Sequence, residues 1–331
     1  MDIEKYLVNK KKLIDEALDN YLPRASEYPQ VIHEAMRYAV FSGGKRIRAI
    51  LTLAAGEAVE GKEEELLLPA AALELIHAYS LVHDDLPAID DDDFRRGKPS
   101  CHKKFNEAIA ILAGDALLTH SFYLLSKIKN SPARVIKVYE EISKAIGTSG
   151  MIGGQVVDIK SEDSEILDVP TLEYIHTHKT GALLCATVKV GCILGRGDKN
   201  QLLFLTRYGE HIGLAFQIVD DLLDLEEGIK GRDRKSDLVK KKLTYPAVYG
   251  IESSKKQVTM LIESAISCLK NFNHKADPLR AIAEFIGRRG SVIQTVDYRH
   301  QTKAGRNCRR ISKRSGHYKI SNTRCSSFLK V

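Results

Sequence analysis

No Cys-x-x-Cys pair occurs among the six cysteines, Cys101, Cys185, Cys192, Cys268, Cys308 and Cys325. Lacking that spacing and the cysteine density of a secreted scaffold, the chain is expected to carry no structural zinc and to work in a reduced, cytoplasmic setting. Apolar runs long enough to cross a bilayer are not expected, and the N-terminal segment mixes charges where a signal peptide has an apolar centre. A Gly-rich dinucleotide loop, a Ser/His/Asp triad and a reactive-cysteine setting are also missing. Gly43-Gly44-Lys45 is no Walker A loop, because the upstream glycine and the following Ser or Thr are absent. No fixed-period repeat and no Pro/Gly/Ser linker divides the chain.

What is present is helical patterning. The 331 residues are rich in Ala and Leu at helical spacing, so an all-α domain is expected. Helices are predicted over 4–21, 29–41, 66–82, 105–128, 132–148, 171–195, 202–225, 247–271 and 276–288, with a long apolar helix opened by 41–48 and running through Ala58, and another opening near 151. From Ser291 onward ten Lys and Arg face Asp297 alone, a net of +9 that exceeds the whole chain's +7. Residues 1–290 are therefore mildly acidic and form the domain, and 291–331 is a basic tail expected to be disordered or atypical. With no recognised RNA or DNA fold, nucleic acid is not an expected partner.

The stretch 83–100, HDDLPAIDDDDFRRGKPS, packs six aspartates and two arginines into eighteen residues. Such a run by itself is ordinarily a solvated loop, since adjacent carboxylates repel. A second cluster, Asp220, Asp221 and Asp224, lies inside an apolar helical pattern where carboxylates are costly without a partner. Asp220 and Asp224 share a helix face. Pro87 ends the earlier helix near Asp85 and lets Asp84 and Asp90 face one point. Two facing acidic helix ends suit Mg²⁺, which takes one or two carboxylates and shares the rest of its shell with substrate phosphates. The glycines before Lys45 and Arg48 suit an anion. His77 and Lys179 stand out in apolar helices, whereas His176 and His178 fall on different faces and do not make a metal pair. Gln155 and Asp158 lie one turn apart.

HDDLPAIDDDDFRRGKP resembles the first aspartate-rich motif of the trans-isoprenyl diphosphate synthases, and GLAFQIVDDLLD resembles their second. GGKRIR, LIHAYS, GGQVVD, HKTGALL and KKLTYP match the intervening signatures in order over about residues 1–290. The resemblance, closest to the bacterial farnesyl diphosphate synthases, implies an isoprenoid synthase helical bundle around a central catalytic cavity, usually a homodimer. It implies about three Mg²⁺ ions on Asp84, Asp90, Asp220 and Asp224, with Asp85 and Asp221 as further ligands or support. Arg95, Lys179 and Lys242 would hold the allylic diphosphate. Gly44, Lys45, Arg48, His77 and Arg96 would hold isopentenyl diphosphate. Thr180 and Gln217 would place oxygen dipoles near the allylic carbocation, and Lys179 would count with them among the catalytic residues.

The reaction so implied is ionisation, condensation and elimination, joining isopentenyl diphosphate to dimethylallyl and then geranyl diphosphate to give farnesyl diphosphate. Tyr79, with Ser80, would form the floor that stops the chain at fifteen carbons. Geranylgeranyl diphosphate synthesis is the alternative within the class, and a non-catalytic prenyl-synthase-like subunit the alternative outside it. A class I terpene cyclase would lack the second motif, DDLLD. Arg232 and Lys235 depart from the pattern of these synthases.

Overall fold

Helix α4 (Glu63–Asp84) is apolar on all sides, and such a helix is stable in water only when other elements surround it. Leu66, Leu73, Leu75 and Ile76 have no exposed surface. The computed structural model describes residues 1–162, 169–229 and 244–291. Against α4 pack α1 (Ile3–Tyr21), α2 (Gln30–Phe41), α3 (Ile47–Ala58) and α6 (Glu107–Leu125), and beyond them follow α7 (Pro132–Ile146), α8 (Met151–Glu162) and α9 (Val169–Ile175). The bundle continues through α10 (Ala182–Leu194), α11 (Lys199–Ile229), α12 (Tyr245–Tyr249), α13 (Ile251–Cys268) and α14 (Asp277–Ser291). The all-α expectation therefore holds. Lys242 and the basic tail lie outside the described residues, as do Arg232 and Lys235.

Three local features were not foreseen. A two-stranded hairpin, β1 (Phe94–Arg95) with β2 (Lys98–Pro99), followed by the short α5 (Cys101–Lys104), interrupts the helices. Its turn residues Arg96 and Gly97 both have positive φ, 56° and 75°, the geometry of a tight hairpin turn. The predicted 247–271 helix is broken at Gly250, whose φ of 81° ends α12. Between α9 and α10 the chain takes a π-helical turn, His176–Gly181, a widening that occurs often at functional sites.

The expectation about apolar runs needs correcting. Helices α4 and α6 are both long and apolar enough, by length and composition, to cross a membrane. For α4 the cause is its central place, since 67% of its window is buried. For α6 only 39% is buried, and Ile111, Leu112 and Tyr123 are exposed.

Glycines set the closest helix crossings. A Cβ on Gly191 of α10 would lie 2.2 Å from the Thr52 carbonyl of α3, and one on Gly213 of α11 would lie 3.0 Å from Gly181 Cα. The second contact matters for the site, because it pins the π turn against α11.

Candidate active site

Asp84 is the last residue of α4 and Asp85 its C-cap. Beyond them the chain doubles back. Leu86 N donates to the His83 carbonyl at 3.1 Å, Asp90 N to the Asp84 carbonyl at 2.9 Å, and Asp92 N to the Asp85 carbonyl at 3.2 Å. This return brings Asp90 beside Asp84, which an unbroken helix would turn about 240° away. Burial pushes the Asp84 carboxyl up to about 6, and the neighbouring Asp90 and Asp85 charges add to the rise against Lys179 and Arg95.

Asp85, 3% exposed, accepts from Arg95 Nε at 2.8 Å and also from its terminal nitrogen. Arg95 reaches Asp92 Oδ2 at 3.2 Å as well. Asp85 thus supports the hairpin that carries Arg95, and Arg95 is held among carboxylates. Asp91, Asp93 and buried His102 place one potential ligand atom each within 4.8 Å of one another, an acidic group the sequence reading did not single out.

The second cluster lies on α11. At 100° per residue Gly209, Gly213, Gln217, Asp220, Asp221 and Asp224 fall within a stripe about 120° wide. The glycines bring α10 and the π turn close, and the same stripe then presents Gln217 and the carboxylates. Asp221 is taken up locally: it accepts Tyr245 N at 2.8 Å and lies 3.2 Å from His176 Nε2. It anchors the start of α12. Burial pushes Asp220 up to about 7, with Asp224 and Asp221 adding and Arg289 and Lys45 opposing.

The π turn carries Lys179 and Thr180. Lys179 Nζ donates to Asp158 Oδ2 at 2.6 Å. Burial works against the ammonium, yet Asp158, Asp84 and Asp90 outweigh it and hold its pKa above the ordinary lysine value. Lys179 therefore links α8 electrostatically to the first aspartate cluster. His178 stacks on Tyr174 while buried His176 turns to Asp221, so the two histidines do diverge.

Cations gather on the other side. Gly43 and Gly44 both have φ of 122°, a conformation that side-chain-bearing residues rarely adopt, and a Cβ on Gly44 would meet the Arg96 guanidinium at 2.7 Å. Arg96 also donates to the Gly43 carbonyl. Burial drives Arg48 down to about 10 despite Glu74 and Asp220, and its Nε is buried without a partner among the described residues. His77 is driven well below its ordinary value by burial and then by Arg48 and Arg96, so it is neutral. Lys45 is lowered by burial and then by Arg289.

Several participants escaped the sequence reading. Arg46, between two assigned cations, is buried on Asp15 Oδ1 at 2.7 Å and the Val40 carbonyl at 2.8 Å. Glu74, 4% exposed inside apolar α4, accepts Ala49 N at 3.1 Å and faces Arg46 at 3.8 Å. Its lone charge in an apolar pattern was a usable signal, since buried carboxylates need partners. Arg289, near the end of α14, acts on both Asp220 and Lys45. Neighbouring Gly290 packs on Val219, with its Cβ position 3.0 Å from Val219 Cγ2. Nothing in its local sequence separates Arg289 from Arg288.

Tyr79 is 5% exposed, and its ring meets His83 edge-on at 5.8 Å. His83 in turn occupies the space where a Cβ on Gly114 of α6 would sit. Ser80 Oγ donates to the His77 carbonyl at 2.9 Å.

Asp84 and Asp220 both bind protons more tightly folded than unfolded, where a carboxyl titrates near 3.8. The stability they contribute is present in full below about pH 4 and is lost as pH rises through about 6 and 7. Without divalent cation, Tm is expected to fall between about pH 5 and pH 8. Added Mg²⁺ is expected to raise Tm more at pH 8 than at pH 5. A Mg²⁺ effect independent of pH would contradict this.

Known proteins resemble this chain over most of its length. The chain is 44% identical over 297 residues to the large subunit 1 of heterodimeric geranylgeranyl pyrophosphate synthase from Arabidopsis thaliana, covering 87% of this chain and 80% of that protein. It is 44% identical over 291 residues to geranylgeranyl diphosphate synthase from Cyanophora paradoxa, covering 86% and 96%. A solved FPP/GFPP synthase from Zymomonas mobilis superposes with a TM-score of 0.78 at 37% identity, covering 86% of this chain and 99% of the other. The polyprenyl synthetase profile matches residues 29–285. By that match and these relatives, the chain belongs to the polyprenyl synthetase family.

Proposed function

We propose that this chain is a Mg²⁺-dependent short-chain prenyltransferase that joins isopentenyl diphosphate to an allylic diphosphate. One observation carries the reading: the site buries charge of both signs. Asp84 and Asp220 are pushed up chiefly by burial, against the cations near them, while Lys45, Arg48 and His77 are pushed down chiefly by burial. A divalent cation relieves the first penalty and a diphosphate the second. Hard oxygen donors on Asp84, Asp90, Asp220 and Asp224 fit Mg²⁺. The bound cation would supply neutralisation of charge on the departing diphosphate.

The chain's own groups then take defined parts. Lys179, kept protonated by Asp158, donates to the allylic diphosphate. Lys45, Arg48 and Arg96 bind isopentenyl diphosphate, and neutral His77 donates a hydrogen bond without adding charge. Thr180 and Gln217 present oxygen dipoles to the developing cation, and the apolar walls exclude water that would trap it. The released diphosphate takes the final proton.

Product length has two supports that diverge. The relatives at 44% identity carry the name geranylgeranyl synthase, and this favours a twenty-carbon product over the fifteen-carbon expectation. The second reading, arrest at fifteen carbons, rests on the buried aromatic ring of Tyr79 one turn before Asp84. The test is incubation with isopentenyl and geranyl diphosphates, with and without Mg²⁺, followed by mass analysis. A Mg²⁺-dependent C20 product supports the first, and C15 alone the second. No prenyl product at all would defeat the proposed activity.

We further propose that a second copy of the chain covers α6. Its apolar window is 39% buried, and Ile111, Leu112 and Tyr123 stay exposed on an otherwise apolar helix. Sedimentation is expected to give a dimer that Leu112→Glu dissociates. A wild-type monomer at micromolar concentration would refute this.

A further inference from the structure

Gln155 is a motif residue noted in the sequence that the reading above leaves without a part. Both ends of its carboxamide, Nε2 and Oε1, are buried and have no hydrogen-bond partner among the described residues. A buried amide in this condition costs stability that Leu or Met of similar size would not cost. It makes no hydrogen bond that would serve the fold among the described residues.

Its place says what it faces. Gln155 and Asp158 are three residues apart on α8 and so share a face. Asp158 Oδ2 on that face holds Lys179 Nζ at 2.6 Å. Gly154, next to Gln155, presses against the same turn, for a Cβ there would lie 2.2 Å from Lys179 N. Gly154 and Asp158 thus both meet the π turn that carries Lys179 and Thr180, and Gln155 lies between them in sequence.

A carboxamide offers donors on nitrogen and an acceptor on oxygen. A hydrated metal diphosphate supplies the complement of both: phosphate oxygen accepts, and bound water donates. We propose that Gln155 is a further binding residue for the metal-bound allylic diphosphate, with Nε2 donating to a phosphate oxygen and Oε1 accepting from its bound water. This rests on the proposed reading of the site as a metal diphosphate site.

The test compares wild type with Gln155→Met, using MgCl₂ and inorganic pyrophosphate as the probe in thermal melts. Free of ligand, the variant is expected to melt about 2 °C higher, because an unpaired amide has been removed. Its melting shift with Mg²⁺ and pyrophosphate is expected to shrink to less than half that of wild type. KM for geranyl diphosphate is expected to rise about tenfold, with KM for isopentenyl diphosphate unchanged. A full ligand-induced shift and an unchanged KM in the variant would overturn the assignment of Gln155 alone. No shift in wild type would overturn the site reading and the assignment with it. Should Gln155→Met not fold, Gln155→Ala is measured in the same way.

Discussion

Asp84→Asn and Asp220→Asn are each expected to lower kcat by about 10²–10³-fold, the range seen when one preorganised electrostatic group is removed from a reacting centre. Neither variant is expected to lose its fold. Both carboxyls are pushed up, to about 6 and about 7, chiefly by burial, so their ionised forms work against folding near neutral pH. Neutral Asn of the same shape removes that penalty, and Tm at pH 8 without Mg²⁺ is expected to rise. The paired aspartates next to them differ in having local donors. Asp221→Ala removes the acceptor of Tyr245 N, and Asp85→Ala takes from Arg95 its buried partner and leaves it the 3.2 Å contact with Asp92. Those variants are expected to lose stability first, because a buried donor loses its acceptor. Measurement of kcat at saturating Mg²⁺ beside Tm separates the two kinds of aspartate. Parallel losses of both in all four variants would refute the division.

Tyr79→Ala is expected to lengthen the product by at least one five-carbon unit, read by mass spectrometry of the hydrolysed products. The ring is buried one turn before Asp84 and set edge-on against His83, which is itself lodged against Gly114 of α6. Removing it opens a cavity the size of the ring in a wall that cannot readily collapse, because α4 and α6 already touch there. Tyr79→Phe is the control. The hydroxyl has no partner among the described residues, so its removal is expected to leave product length unchanged and stability equal or higher. An unchanged product in Tyr79→Ala would remove Tyr79 as the floor, whichever length the wild type makes.

The candidate site was legible where chemistry is local. Pro87 just after Asp84 and Asp85 disfavours helix and ends α4 there, and the glycines expected to be flexible before Lys45 permit the positive φ that Gly43 and Gly44 adopt. The i, i+4 spacing of Asp220 and Asp224 follows from helix geometry alone. The all-α class was legible too, because a 3.6-residue apolar period admits no sheet. The π turn was not, since His176–Gly181 sits inside a helical stretch and differs from an α-helical turn in which carbonyl each N–H reaches.

Partner choice belongs to the tertiary structure. Residue order puts Asp220 with Asp224 and Asp84 with Asp90, but it does not say which donors Asp85 and Asp221 meet. Packing separates Asp85 from Asp84 and Asp221 from Asp220, because adjacent residues on a helix point about 100° apart, and only one of each pair meets a local donor. The same cause hides Arg46 among the cations, and it brings Arg289 and Glu74 to the site from helices far apart in sequence. Charge type and helix face are properties of the chain's local order. Burial, and with it every shift in acidity at this site, arises only when distant helices close around those faces and remove the water.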